Sequence, residues 1–220
     1  MKVLIVHAHP EPKSFCSALK DLSAETFRKN GHEVQISDLY AMKFNPIGGA
    51  HDFKKAENAD YFKYQSEQVN AYQNDLYAED LKTEMDKLVS ADIVIFSFPL
   101  WWFGLPAILK GWVDRVFAMG FAYGAGKGVY DTGVFKGKKS MAIFTTGGPE
   151  IAYGEKGKNG TIEQTLFPIN HGMLYFVGMN VIEPFIAYSP ARLSDEERKN
   201  LLEKLKSKIE NIEKEKLIYG

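Results

Sequence analysis

Three short stretches of this 220-residue chain carry side chains able to do chemistry. The first, His7 to Cys16, reads HAHPEPKSFC. Ser14 and Ser17 bring hydroxyl donors and His9 a ring N–H to what should be the start of a helix, where unpaired N–H groups and a partial positive charge favour phosphate. The same residues have a plainer use, with His9 and Pro10 shaping a turn and Ser14 capping the helix, and the loop alone leaves both readings open. It contains no GxGxxG, so it is not a dinucleotide fingerprint. Cys16 reads as a small packed side chain, because a lone thiol without a His and Asn in a known pattern makes a poor nucleophile.

The second stretch, Phe98 to Pro106, reads FPLWWFGLP. Consecutive rings leaving a strand point different ways, so at least one of Trp101, Trp102 and Phe103 should face a crevice and offer a flat apolar wall to a planar polar heterocycle such as an isoalloxazine. The alternative is that all three pack under the next helix or in a subunit contact. The third stretch is Thr145-Thr146-Gly147-Gly148-Pro149, in which two glycines let the backbone approach a ligand closely and two hydroxyls can bond ring carbonyls and nitrogens.

Bringing three distant stretches together is the task of the elements between them. Val3 to His7 is an apolar run suited to a strand buried on both faces. Ser14 to about Asn30 reads as a helix, with Phe15, Leu19 and Leu22 on one stripe and Gly31 as its stop. Val34 to Ser37 makes a second strand, and Leu39 to Tyr77 a long, partly irregular surface excursion whose tyrosines and phenylalanines should pack on something. Helices are expected over Leu76 to Ser90, Pro106 to Phe117 and Thr161 to Gly172. Strands are expected over Ile93 to Phe98, closed by Pro99, over Ser140 to Thr145, and more weakly over Met179 to Ile182. Ser194 opens a last helix with Leu201, Leu202, Leu205, Ile209 and Ile212 on one stripe. Such alternation predicts one α/β domain over residues 1–220, a doubly wound five-stranded parallel sheet in the flavodoxin-like order 2-1-3-4-5. In that order the loops after strands 1 and 3 flank the switch-point crevice where ligands bind.

Composition narrows the function classes. Lys plus Arg is 27 against 28 for Asp plus Glu, which leaves no positive field to gather nucleic acid or anionic lipid. A single cysteine cannot form an intramolecular disulfide, no apolar run reaches the roughly 20 residues of a membrane span, and the N-terminus lacks a leader pattern, so a cytoplasmic location is expected.

LIVHAHPEPKSF, SDLYAMKFNP, FPLWWFGLPAILKGWVDRVF, TTGG and the FPI of Phe167 to Ile169 together resemble the NAD(P)H:quinone dehydrogenase family, from Val3 to about Arg198. The chain is similar in extent to its shorter members. The resemblance implies a homodimer with active sites at the subunit interface and one FAD per subunit, with FMN the alternative. It also implies a ping-pong reaction, in which NAD(P)H reduces the flavin and leaves before a quinone or related flat acceptor takes its place. It assigns His9, Ser14, Phe15 and Cys16 to the pyrophosphate and its neighbourhood, and Asp114 and Arg198 to the adenosine end. Pro99, Leu100, Trp101, Trp102 and Phe103, with Thr145, Thr146, Gly147, Gly148 and Tyr153, match the wall around the isoalloxazine. Trp102 and Phe103 also face the acceptor, and Tyr123 and Phe176 close its pocket from the second subunit. No metal is implied.

Departures bear on the acceptor. Asn159 stands where the family commonly pairs a His with the tyrosine, Trp101 where Gln is frequent, Ala125 where a second pocket Tyr is found, and Arg192 where a pocket His is expected, while Cys16 replaces a frequent Asn. With Gly147, Gly148, Tyr153 and Asn159 as the catalytic set, charge arising on reduction would meet neutral donors, so dependence on a His-like ionisation should be small. Two rivals remain: a flavodoxin-type electron carrier, disfavoured by the near-neutral net charge, and a regulatory flavoprotein subunit of a membrane transporter docking through Tyr61 to Tyr77.

Overall fold

The computed structural model describes residues 1–58 and 60–220. The first strand, β1 (Lys2–His7), sends Leu4 and Val6 into one core and Val3 and Ile5 into the other, all at most 1% exposed. A strand buried on both faces needs helices on both sides, and the chain supplies them. Helix α1 (Phe15–Lys29) begins where Ser14 is extended and accepts from the Ser17 N–H at 3.1 Å. Gly31, at φ +79°, then turns the chain into β2 (Glu33–Asp38). β1 lies between β2 and β3 (Ile93–Pro99), and β3 pairs with β4 (Lys139–Thr146), every ladder parallel. Helices α3 (Glu79–Ser90), α4 (Ala107–Val116) and α5 (Ile162–Ile169) cover one face, and α1 with α6 (Asp195–Glu210) the other.

The fifth strand is split. β5 (Asn180–Ile182) and β6 (Phe185–Tyr188) both run parallel to β4, against its lower and upper halves respectively. Glu183 and Pro184 interrupt them, since a proline has no N–H to give a ladder. β7 (Leu217–Tyr219) adds an antiparallel edge on β5. The sheet thus keeps the expected 2-1-3-4-5 order but, among the described residues, has seven strands where five were anticipated. β6 and β7 are only four and three residues long, too short for alternation to declare them.

Three helical assignments need correction. Within the excursion expected to be largely irregular lies α2 (Tyr64–Asn74), whose buried residues are Glu67, Gln68 and Ala71. Ala71 reaches the core, but two of the three buried residues make polar contacts. The Glu67 carboxylate accepts from the N–H groups of Glu57 and Asn58 at 2.7 and 3.1 Å, and Gln68 Oε1 from that of Met119 at 3.1 Å. A helix docked by carboxylate and amide shows no apolar stripe. The helix expected from Leu76 starts only at Glu79, because Tyr77 pairs with Phe53. Likewise α5 stops at Ile169, and Asn170–Tyr175 winds as a wider π-helix. Pro168 withholds the N–H due to Gln164, and the chain continues with bonds five residues apart, as from Phe176 N to His171 O at 3.0 Å.

Candidate functional site

The first strand ends at a loop that wraps onto the α1 N-terminus. His9 Nδ1 lies 3.0 Å from the Glu11 nitrogen and 3.1 Å from the Glu11 carbonyl oxygen, so the ring is held against the Glu11 backbone. Ser14 caps the helix by accepting from the Ser17 N–H, and the Ser17 hydroxyl donates to the Glu11 carbonyl. His9, Lys13, Ser14, Phe15 and Cys16 then line a cleft of about 450 Å³, closed on its far side by Thr145, Pro190, Ala191 and Arg198. His9 thus bonds within the turn through Nδ1 and also borders the cleft. Arg198 is fixed by donating from Nη1 to the carbonyls of Pro190, at 3.1 Å, and Leu193. Cys16 is 2% exposed and burial raises its thiol to about pKa 12, so it packs as an inert side chain.

The aromatic stretch forms a tight two-residue turn. Trp101 and Gly104 exchange both backbone hydrogen bonds, at 3.1 and 3.0 Å, and Trp102 and Phe103 between them take φ of +50° and +59°. Two successive left-handed residues define a type I′ geometry that ordinarily selects Asn-Gly. Side chains with a Cβ are disfavoured there by roughly 1–2 kcal/mol each. The strain holds both rings out: Trp102 is 95% exposed and Phe103 50%. Backbone strain at aromatics that contribute nothing to the core points to a role outside folding. None of the three rings packs under α4, and Trp101 too is exposed, at 42%.

The end of β4 supplies the facing wall. Thr146 Oγ1 donates to the Gly148 carbonyl at 2.7 Å, and Ser189 Oγ donates to that of Gly147 at 3.1 Å. Both carbonyls of this turn are thereby satisfied from within the chain. A Cβ on Gly147 would meet nothing within 4 Å, and one on Gly148 would stand 3.3 Å from Tyr153 Cε2 and 3.6 Å from Asn159 Nδ2. Gly148, Tyr153 and Asn159 therefore share one corner. Phe103 reaches the same corner, its ring 6.5 Å from Tyr153 and edge-on. Beyond Tyr153, Tyr188 packs at 5.9 Å, its hydroxyl pushed up to about 12 by burial and then by the Glu150 and Glu163 charges. Pro99 pairs with Thr145, and the Leu100 N–H donates to the Thr145 carbonyl at 2.8 Å, which ties the two loops into one rim.

Not every expected residue joins this rim. Asp114 lies well along α4 and pairs with Lys110 on the same helix at 2.5 Å. Arg192 lines a separate hollow with Tyr188, Ser189, Glu197 and Lys204. Tyr123 and Phe176 pack edge-on at 5.9 Å, and the Gln65 amide donates to the Tyr123 hydroxyl. Ala125 sits exposed at φ +49°. Sequence reasoning overlooked Ser189, which holds the Gly147 carbonyl, and its signal was faint: one serine before a proline. It also overlooked His7 and Ser97, polar residues at the ends of apolar strands, where a buried side chain needs partners. Among the described residues no cluster of His, Cys, Asp or Glu could hold a metal ion, and no helix is long and apolar enough to cross a membrane.

Comparison with known proteins agrees with this geometry. Residues 1–211 match the family model for the flavodoxin-like fold. The chain is 42% identical over 219 residues to the ribosyldihydronicotinamide dehydrogenase (quinone) of Rattus norvegicus, spanning 99% of this chain and 94% of that protein. It is 42% identical to the NAD(P)H dehydrogenase (quinone) 1 of Cavia porcellus, covering 99% of this chain and 79% of that one. A crystal structure from Klebsiella pneumoniae, assigned as a quinone reductase, superposes with a TM-score of 0.96 at 39% identity, over 99% of this chain and 87% of the other.

Proposed function

The chain belongs to the flavodoxin-like fold family and, within it, to the NAD(P)H:quinone dehydrogenases, and on that footing we propose that it is a flavin-dependent NAD(P)H:quinone oxidoreductase. The observation that carries the reading is the meeting of the α1 cleft, the Trp102–Phe103 turn and the Gly147–Gly148 turn along one sheet rim. A flavin suits each part. Phosphates fit the α1 N-terminus with Ser14 and His9, and a planar ring fits between the exposed aromatics and a glycine turn that leaves open space. The cleft runs on past Pro190 and Ala191 to Arg198, room that an adenosine would use, which favours FAD over FMN.

When bound, the flavin supplies the chemistry of accepting a hydride from NAD(P)H and passing it to a quinone. The chain's own groups position and polarise. Tyr153 and Asn159 present a hydroxyl and an amide beside Gly148, neutral donors for the negative charge that reduction builds up. Trp102, nearly bare on a strained turn, and the Tyr123–Phe176 pair support a homodimer in which a second copy completes the acceptor pocket. A single buried cysteine suits a reducing cytoplasm. Steady-state oxidation of NAD(P)H by menadione tests the proposal. Saturable turnover with parallel double-reciprocal lines is expected; rates no higher than those of free flavin would refute it.

A further inference from the structure

His7 closes β1 and is 1% exposed, at a sheet position where an aliphatic side chain would bury as well. Both ring nitrogens are instead engaged: Nδ1 lies 3.0 Å from Ser97 Oγ on β3, and Nε2 3.2 Å from Ser17 Oγ on α1. Counting protons gives the direction of every bond. Ser17 Oγ donates its one proton to the Glu11 carbonyl at 2.9 Å and already accepts from Ser14 Oγ at 3.0 Å. Towards His7 it can therefore only accept, which puts the ring proton on Nε2 and leaves Nδ1 to accept from Ser97. Burial holds the ring at about pKa 4, against smaller opposing influences that include Asp38, so the neutral form persists at neutral pH.

The result is a directed relay from Ser97 through His7 and Ser17 to the Glu11 carbonyl. It crosses the switch point of the sheet and ends in the loop that shapes the α1 N-terminus. Glu11 also accepts from the Ser14 N–H at 3.2 Å, so the same carbonyl sets the position of the capping serine. We propose that His7 is a positioning residue: through its Nε2–H it fixes Ser17, and through Ser17 the turn from Glu11 to Ser14, so that the N-terminus of α1 is held in the form that receives the phosphate groups of the cofactor. The inference rests on the reading that the α1 cleft holds those phosphates.

The test strips the full-length protein of bound flavin and titrates it with FAD, FMN and riboflavin by fluorescence quenching. His7→Leu should bind FAD and FMN about tenfold more weakly, the worth of one lost buried hydrogen bond, while its riboflavin affinity, which involves no phosphate, stays at the wild-type value. His7→Gln, which can still donate towards Ser17, should recover part of the loss, and Ser17→Ala should reproduce it if His7→Leu folds poorly. Ring ¹⁵N resonances of the wild-type protein should report a protonated Nε2 and a bare Nδ1. Unchanged FAD affinity in both His7→Leu and Ser17→Ala, an equal loss for riboflavin, or a proton on Nδ1 would overturn the inference. A wild-type protein that takes up none of the three would instead remove the flavin reading itself, and this inference with it.

Discussion

Trp102 and His7 occupy opposite extremes, one ring in the open and one sealed in the core, and their substitutions should separate binding from stability. Trp102 touches almost nothing in its own chain, so Trp102→Ala should leave the denaturant midpoint equivalent to within about 0.5 kcal/mol. Flavin affinity and acceptor KM should both worsen in that variant, and titration with steady-state kinetics would check this. His7 gives a pH dependence of opposite origin. Its folded pKa of about 4 lies below the ordinary 6.5, so between those values the unfolded chain binds more protons and stability falls as the solution is acidified. The contribution is complete above pH 6.5 and gone below about pH 4, on the order of 3 kcal/mol. Urea unfolding at stepped pH should show the decline, and His7→Leu should lack that part of it. Residue identity alone foretold the aromatic turn but not the histidine: three adjacent rings are conspicuous in a sequence, whereas a buried relay depends on residues 17 and 97 being neighbours.

The turn between Trp101 and Gly104 is where element geometry and function conflict. Replacing Trp102 and Phe103 together by Asn and Gly should relieve the left-handed strain and raise stability by about 1–2 kcal/mol, while acceptor reduction collapses. Thermal unfolding and turnover measured on one preparation would test both halves. A second dependence lies in the long excursion before α3. Arg115 of α4, fully buried, donates from Nε to Asp52 at 2.8 Å and from Nη1 to the Asn45 carbonyl at 2.7 Å, pinning that segment to the helix. Arg115→Ala strands a buried carboxylate and should destabilise by about 3–5 kcal/mol, with Asp52→Ala added to it costing less than the sum of the two. Denaturant titration of the single and double variants decides it. These ties explain what the sequence concealed. β1, β3 and β4 are apolar runs and read directly. α2 is held by Glu67 and Gln68, and the fifth strand is cut at Pro184, so neither carries the periodicity by which elements are recognised.

At the scale of the molecule, the parallel order 2-1-3-4-5 brings the carboxyl ends of β1, β3 and β4 to one edge, so three loops separated by tens of residues form one surface. That convergence could be anticipated from the alternation of strands and helices, because the switch point follows from topology rather than from side chains. Asp114 and Arg192 stand apart from this rim, one paired with Lys110 along α4 and the other beside a separate hollow. The decisive observation is chemical: the absorbance of the purified protein and the mass of what acid releases from it. A yellow protein that yields FAD, one per chain, and bleaches with NAD(P)H is the predicted result. A colourless protein that takes up no added FAD or FMN would contradict the claim that this rim grips a flavin.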